Sequence, residues 1–376
     1  MRIAFAIFKY FPFGGLQSDM LRIAREAVRR GHQVVVYTSQ WQDELPWEDG
    51  LTVQLLPVHS LTNWGKAAEF EKTFHRTTCT EHFSLKVVFN RMGGGDFYFA
   101  ADNCLQEELP KSHSRLALRL HPRYRTYLGQ EARIFARGGQ TRILYITERQ
   151  KSDYRQHYQT EEVRFLSLPP GMNSACRRPA DAEAIRARKR EELGLADNRF
   201  MLIQVGAVTQ GKGCDRSLEA VAALPVEFRS RVEFFFAGGG HFQPFAKLAR
   251  KAGVEKQVHF LGQRRDIPEL LLAADLMVHP ARNESAGSVL IESIAAGTPV
   301  VCSSECGFSP FVRESAGLIT DLPFRQEQLN FVLYQALNNL QQATLSTRKY
   351  AETADFYSRA ERAVDYFENK TGLAKN

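Results

Sequence analysis

Paired cysteines are the first thing this chain lacks. Its six cysteines (Cys79, Cys104, Cys176, Cys214, Cys302 and Cys306) are scattered, and none belongs to a C-x-x-C pair. Cys302 and Cys306 have no companion histidine cluster. That pattern favours buried free thiols over a disulfide scaffold or a structural zinc site. The ten histidines show no pair at metal-ligand spacing, and no aspartate-rich metal motif is present. No metal and no other cofactor is therefore expected. Long apolar runs are also missing. Arg2–Phe8 is too short for a signal segment or a membrane span, and Lys9 follows it. The expected location is the cytoplasm. Neither an internal repeat nor a low-complexity tract is visible.

The chain has 376 residues, 44% hydrophobic and 24% charged, an ordinary globular composition. That length exceeds what one core usually fills, so two domains are expected. The net charge is +7, and it is unevenly spread. Lys111, Arg115, Arg119, Arg123, Arg125, Arg133, Arg137 and Arg142 are opposed within their segment by Glu131 alone, a local excess as large as that of the whole chain. Such a segment expects an anionic partner. Leu116, Leu118, Leu120, Tyr124, Tyr127, Leu128, Ile134 and Phe135 interleave with the basic residues, and Pro122 splits the segment into two amphipathic pieces. Arginine stems can lie along apolar surface while their heads meet phosphates. This suits an anionic bilayer surface or a phosphorylated lipid, with a plain solvated helix face as the competing reading. No recognised nucleic-acid motif accompanies the charge, so nucleic acid is not an expected partner.

Strand-length apolar runs alternate with helix-period segments. Arg2–Phe8, Val34–Thr38, Leu51–Pro57, Val87–Phe89, Phe97–Ala101, Ile143–Thr147 and Phe165–Leu168 form a first strand series. Leu16, Met20, Ile23, Ala24, Ala27 and Val28 share one helical face between the first two, and Gly31 closes that helix. Pro169-Pro-Gly171 breaks the pattern. A second series runs through Met201–Val205, Val232–Ala237, Val258–Leu261, Leu276–Val278, Pro299–Cys302 and Leu318–Thr320. Amphipathic segments near 213–223, 243–253, 266–273, 287–296 and 326–341 separate these strands. The pattern predicts an α/β protein with two doubly wound parallel sheets: residues 1–170, residues 171–350, and a terminal helix within 351–376 that is a candidate to pack back on the first domain. Ligands in such sheets bind at the carboxyl ends of strands, here expected in a cleft between the domains.

The strongest chemical signal is Arg282-Asn-Glu-Ser-Ala-Gly-Ser-Val-Leu-Ile-Glu-Ser293. It places Glu284 and Glu292 at the mouth of a helix that follows a strand. A small-residue turn before a helix start makes an anion site, because the first N–H groups and the positive end of the dipole face the ligand. Two carboxylates repel phosphate, so they suit a ligand with hydroxyls on both sides of its phosphates, the layout of a nucleotide sugar. Gly206-Ala-Val-Thr-Gln-Gly-Lys-Gly213 follows another strand, where Lys212 either reaches a diphosphate or is a solvated loop lysine. Phe11-Pro-Phe-Gly-Gly-Leu-Gln17 is a glycine turn but not G-x-G-x-x-G. Asp19 follows it in the first helical turn. Gly262-Gln-Arg-Arg-Asp266 either shapes a pocket for a base or caps the next helix through Asp266. Gly238-Gly-Gly240 reads as a flexible turn. Asp102 ends a strand and is a candidate to orient or deprotonate an acceptor hydroxyl. His279 ends a strand near Glu284, where a satisfied core residue is an equal reading.

With these residues on the page, the chain resembles the family 4 glycosyltransferases of the two-Rossmann-domain GT-B type. The resemblance rests on Glu284 to Glu292 with Ala286-Gly-Ser288 between them, on Gly206 to Gly213 with Lys212, and on Ala295-Ala-Gly-Thr-Pro-Val300. Phe8-Lys-Tyr-Phe-Pro-Phe-Gly-Gly-Leu-Gln17, Phe89-Asn-Arg-Met92, Asp96 to Asp102, Arg123-Tyr-Arg125, Leu168-Pro-Pro-Gly171, Asp215-Arg-Ser217, Cys306-Gly307 and Ala354 to Ser358 extend it nearly end to end. They are similar to the lipopolysaccharide core glucosyltransferases.

This resemblance implies a retaining transfer of glucose from a UDP-sugar donor to an inner-core heptose of lipopolysaccharide. It implies a peripheral protein on the cytoplasmic, anionic face of the inner membrane. It also assigns roles. Gly14 and Gly15 border the donor phosphates, Lys212 neutralises the diphosphate, and Glu284 holds sugar hydroxyls. N–H groups of Ala286, Gly287, Ser288 and Val289 meet the β-phosphate, Glu292 binds ribose, and Gln263 and Arg264 lie on the donor side. Asp19 and Asp102 take acceptor or catalytic duty. Arg115, Arg119, Arg123, Tyr124, Arg125 and Arg133 belong to the membrane- and acceptor-facing segment. One departure stands out: Ala207 and Gly211 occupy positions where the family supplies an arginine. Arg264 or Arg265 is then a substitute cation, or the donor binds more weakly. The same departure supports two rivals, a nucleotide-sugar-binding scaffold with weak catalysis and a family 4 enzyme with another donor sugar.

Overall fold

The computed structural model describes residues 1–12, 14–42, 49–172 and 176–372. Phe13 of the glycine turn and residues 373–376 of the helical tail lie outside the described residues. The chain divides into two compact units, residues 1–171 with 357–376, and residues 172–356.

In the first unit the strands are β1 (Arg2–Ala6), β2 (Lys9–Tyr10), β3 (Gln33–Thr38), β4 (Gln40–Trp41), β5 (Leu51–Leu55), β6 (Leu85–Val88), β7 (Phe97–Ala100), β8 (Arg142–Tyr145) and β9 (Phe165–Ser167). Seven of them form a parallel sheet in the order β5-β3-β1-β6-β7-β8-β9, and the short β2 and β4 pair separately. Continuous apolar runs such as Phe97-Tyr-Phe-Ala100 are fully buried, as parallel strands covered on both faces require. Phe5, Phe89, Phe97 and Phe99 pack with Met20, Ile23 and Ala27 of the helix Gly15–Arg29. Each such buried ring or aliphatic chain contributes roughly 1.5–3 kcal/mol.

The terminal helix Arg359–Thr371 completes this unit. Phe367 stacks edge-on against Phe97 at 4.9 Å. Arg30 bonds Asp365 at 2.7 Å and Glu368 at 2.9 Å, and Lys370 pairs with Asp96.

In the second unit the strands are β10 (Phe200–Val205), β11 (Val232–Ala237), β12 (Val258–Gly262), β13 (Leu276–His279), β14 (Val300–Ser303) and β15 (Leu318–Thr320). Their order, β12-β11-β10-β13-β14-β15, is the doubly wound dinucleotide-fold order. The strand order reverses between β10 and β13, the switch point at whose carboxyl ends ligands bind in such sheets. Leu202, Phe234, Phe236, Leu276 and Val278 pack against Leu218 and Val221 and against Leu329 and Leu333 of the helix Gln326–Asn338.

Two sequence readings change here. Gly238–Gly240 is no flexible turn. A Cβ on Gly238 would lie 1.9 Å from the Gly206 carbonyl oxygen, and Gly240 is bridged to Val208 at φ +146°. These glycines let the loop after β11 lie against the loop after β10. Asp266 sits at the N-cap of the helix Ile267–Ala273 but makes no capping bond. Its carboxylate is drawn instead to Arg264 and Lys189.

Candidate active site

The loop 206–213 after β10 and the loop 280–287 after β13 meet at the switch point of the second sheet. Gly213 has φ +72°, and a Cβ there would lie 2.1 Å from the Pro280 carbonyl oxygen, so only glycine allows this approach. Arg282 fastens the two loops. Its N–H donates to the Gly211 carbonyl at 2.8 Å, and its guanidinium grips Asp215 at 2.7 and 2.6 Å. Gln204 donates to the Lys212 carbonyl at 2.6 Å and accepts from Ser217 at 2.8 Å. From behind, the N–H groups of Gly307 and Phe308 donate to the carbonyls of Glu284 and Ala286 at 3.0 and 2.7 Å.

The helix Ser288–Ala296 starts behind Gly287, which has φ +87°, and no side chain caps it. Its first N–H groups and the positive end of its dipole suit an anion. Ala286 and Val289 are half-buried, Gly287 buried and Ser288 exposed. Beside this end the Lys212 ammonium is bonded to the Glu284 carboxylate. Burial pushes the Glu284 carboxyl up, but bonds from His279 and Lys212 outweigh it and hold the group below the usual carboxylate range. His279 is buried, with Nε2 3.4 Å from Glu284 Oε2. An ionised carboxylate only accepts, so Nε2 carries the hydrogen. Nδ1 is buried with no partner among the described residues. His279 is thus not the satisfied core residue of one sequence reading. Cys306 Sγ lies 3.8 Å from the His279 carbonyl oxygen. A bond from the Cys302 thiol holds the Cys306 thiol down, and both cysteines are free, as their scatter predicts.

Glu292 lies farther along the same helix, where burial alone pushes its carboxyl up. It lines a pocket of about 190 Å³ with Arg177, Arg178, Pro268, Leu271 and Leu272. At the end of β12, Gln263 lies against Gly239, where a Cβ would sit 3.1 Å from its amide nitrogen. Arg264 is fixed by Asp266 at 2.7 and 2.5 Å, with Glu192 at 3.6 Å, so its charge is already matched. Arg265 is exposed.

In the first unit, Gly14 precedes the helix Gly15–Arg29, which has no side-chain cap. A Cβ on Gly14 would lie 1.9 Å from Gln17 Oε1, whose amide donates to the Lys9 carbonyl at 3.0 Å. Asp19 points inward. Its carboxylate is bound by Arg22 and by Arg359, each at 2.5 Å, and Arg359 also donates to the Pro169 carbonyl at 2.9 Å. Asp102, just past β7, is exposed, with its carboxylate 3.3 Å from Arg91. Its carbonyl accepts from Tyr154 at 3.1 Å, which fixes the loop.

The basic segment forms the helices Arg115–Leu120 and Pro122–Phe135. Its charge differs in space from its charge in sequence. Glu131 is fully buried and accepts from Arg91, Tyr158 and the Leu105 N–H at 3.1, 2.8 and 2.9 Å. It therefore opposes none of the surface arginines. Arg133 is matched by Glu71 at 2.8 Å, and Lys111 by Glu107 and Glu108 at 3.1 and 3.0 Å. Arg115, Arg119, Arg123 and Arg125 are exposed and have no acidic partner among the described residues. Leu116 and Leu120 beside them are 66% and 64% exposed, and Arg123 lies 5.9 Å from the half-buried Tyr124 ring.

Two parallel Rossmann sheets, and in the second a lysine and a glutamate flanking an uncapped helix start at the switch point, are the hallmarks of a GT-B glycosyltransferase. The chain belongs to the family described as Glycosyl transferases group 1, which matches residues 185–353. It is 41% identical over 370 residues to the lipopolysaccharide glucosyltransferase WaaG of Escherichia coli (strain K12), spanning 97% of this chain and 98% of that one. The crystal structure of WaaG, a glycosyltransferase involved in lipopolysaccharide biosynthesis, superposes with a TM-score of 0.84 at 39% identity, over 97% of this chain and 99% of that one. A D-inositol 3-phosphate glycosyltransferase of Streptomyces scabiei (strain 87.22) is 33% identical over 185 residues, 46% of this chain and 41% of that one. Anabaena Alr3699/HepE, solved in complex with UDP, shares the fold at a TM-score of 0.74 and 19% identity, over 99% of this chain and 100% of that one. No described helix is long and apolar enough to cross a membrane.

Proposed function

We propose that this glycosyltransferase moves glucose from UDP-glucose, with retention, onto an inner-core heptose of lipopolysaccharide at the cytoplasmic face of the inner membrane. The observation that carries the reading is the meeting of Lys212 and Glu284 beside the uncapped start of the helix Ser288–Ala296. One ammonium and one row of N–H groups suit a diphosphate, and one carboxylate suits sugar hydroxyls. Glu292 and its pocket take the ribose side. Likeness to WaaG in sequence and structure supports the donor and the acceptor class.

In the transfer, negative charge grows on the departing diphosphate. Lys212 and the helix end stabilise it where it develops. The leaving phosphate takes the acceptor proton, so no enzyme carboxylate has to serve as base. Asp102 is assigned to orienting the acceptor. The four exposed arginines with Leu116 and Leu120 are assigned to the anionic membrane surface.

The test compares core oligosaccharide by mass spectrometry with and without the gene, complemented by wild type, Lys212→Ala or Glu284→Ala. Loss of one hexose, restored only by wild type, is expected. Restoration by both variants would end the assignment. A scaffold reading draws on Ala207 and Gly211, and tight UDP binding without any turnover would favour it.

A further inference from the structure

Two side chains reach the Glu284 carboxylate among the described residues, and both act on the same oxygen. Lys212 is bonded to Oε2, while His279 Nε2 stands 3.4 Å from it, long for a hydrogen bond. A donor diphosphate competes for that ammonium. The competition is sharp in this chain, because Ala207 and Gly211 offer no second cation from the same loop. When Lys212 turns to the phosphates, a half-buried carboxylate is left to be held by something else. His279 is the group in place. It ends β13, it is 1% exposed, its Nε2 faces the Glu284 carboxylate, and Cys306 Sγ lies 3.8 Å from its carbonyl oxygen. Its Nδ1 is buried with no hydrogen-bond partner among the described residues, so Nε2 makes the ring's side-chain contact.

We infer that His279 is a positioning residue for the transfer: it takes over Glu284 when donor binding draws Lys212 away, and keeps the carboxylate ionised and aimed at the donor sugar. The inference rests on the donor-site reading above. His279 is 1% exposed and faces the Glu284 carboxylate, so in this reading it acts on the sugar through Glu284 and leaves the diphosphate grip to Lys212 and the helix end.

The test uses the full chain with His279→Ala and His279→Gln, the glutamine offering an amide N–H at the reach of Nε2. Affinity for UDP, which lacks the sugar, is measured by calorimetry beside KM and kcat with UDP-glucose. In His279→Ala, UDP affinity should fall only about two- to fivefold, because UDP also draws Lys212 off the carboxylate, while kcat/KM for UDP-glucose falls about 10- to 100-fold, the loss expected for one bond to a charged group. His279→Gln should regain most of that loss. Equal losses of UDP and UDP-glucose affinity would overturn the inference, because they mark a collapsed site rather than a misaimed carboxylate. A glutamine variant as poor as alanine would overturn it too. Failure of the wild type to bind UDP would instead strike the donor-site reading and take the inference down with it.

Discussion

Glu284→Gln should strengthen the binding of UDP while crippling the transfer of sugar. The Lys212 ammonium is paired with the Glu284 carboxylate. A diphosphate must draw it away, so the strength of that internal pair is subtracted from the affinity for UDP. The side chains are 31% and 17% exposed, so solvent screening is substantial and the pair is worth about 1 kcal/mol. A neutral amide at 284 frees Lys212, and UDP affinity should rise about fivefold. The same change removes the charged acceptor for sugar hydroxyls, and kcat/KM for UDP-glucose should fall about 10- to 100-fold. Titration calorimetry with UDP and a coupled UDP-release assay read the two effects.

The double variant isolates the cause. In Lys212→Ala, adding Glu284→Gln should no longer tighten UDP, because there is no ammonium left to release. Weaker UDP binding in Glu284→Gln alone would refute the competition. An equal gain in the Lys212→Ala background would show that the gain arises from carboxylate–phosphate repulsion and not from Lys212.

Three further outcomes are expected. Asp19→Asn leaves the Arg359 guanidinium buried without its countercharge, so melting should drop by roughly 10 °C, the shift for about 3–5 kcal/mol; loss of transfer at an unchanged melting temperature would return Asp19 to acceptor chemistry. Burial raises the folded-state pKa of Glu292, so this group takes up protons on folding and stability falls as pH climbs from the unfolded value, about 4.3, through the raised one. Glu292→Gln should therefore melt higher than wild type at pH 8, lose that advantage below about pH 4, and bind UDP less well, whereas an advantage independent of pH would refute the burial argument. Replacing Arg115, Arg119, Arg123 and Arg125 together by glutamine should cost about 1 kcal/mol per residue in binding to vesicles rich in anionic lipid, and sedimentation unchanged from wild type would remove the membrane assignment.

Much of the second unit is legible because its chemistry is local. Strand β11 occupies the same residues that the apolar run Val232–Ala237 marks, and β10, β12, β13 and β14 differ from their runs by a residue or so. A parallel strand buried on both faces must be a continuous apolar run, so it announces itself. Lys212 and Glu284 stand in loops directly after such strands, and the strand order brings those loops together. The ion pair between them is not legible, since it depends on Gly213 letting one loop ride on Pro280. Pairings across long stretches of chain are equally hidden. Asp19 reads as a helix-start acid, and nothing near it in sequence announces Arg359, 340 positions away. The His279 ring is placed correctly beside Glu284 by its strand, but its bare Nδ1 is a property of the packed interior.

Glu131 shows why a charge count along the chain is the wrong quantity for a surface. In sequence it is the sole acid against eight basic neighbours. Within its helix, however, Ile134 and Phe135 follow at i+3 and i+4, and both are buried. Residues at that spacing share a face, so the period already turns Glu131 inward with them. There it accepts the N–H of Leu105 and the side chains of Arg91 and Tyr158, work that ties the helix Pro122–Phe135 to the loop after β7. Arg133 is meanwhile neutralised by the distant Glu71, and Lys111 by Glu107 and Glu108 just before the segment. The exposed cations left on the two helices are Arg115, Arg119, Arg123 and Arg125, with Leu116 and Leu120 exposed among them. Four cations and two aliphatic chains on six- and fourteen-residue helices match a surface that offers phosphate heads above hydrocarbon, whereas a solvated helix face would need no leucines there.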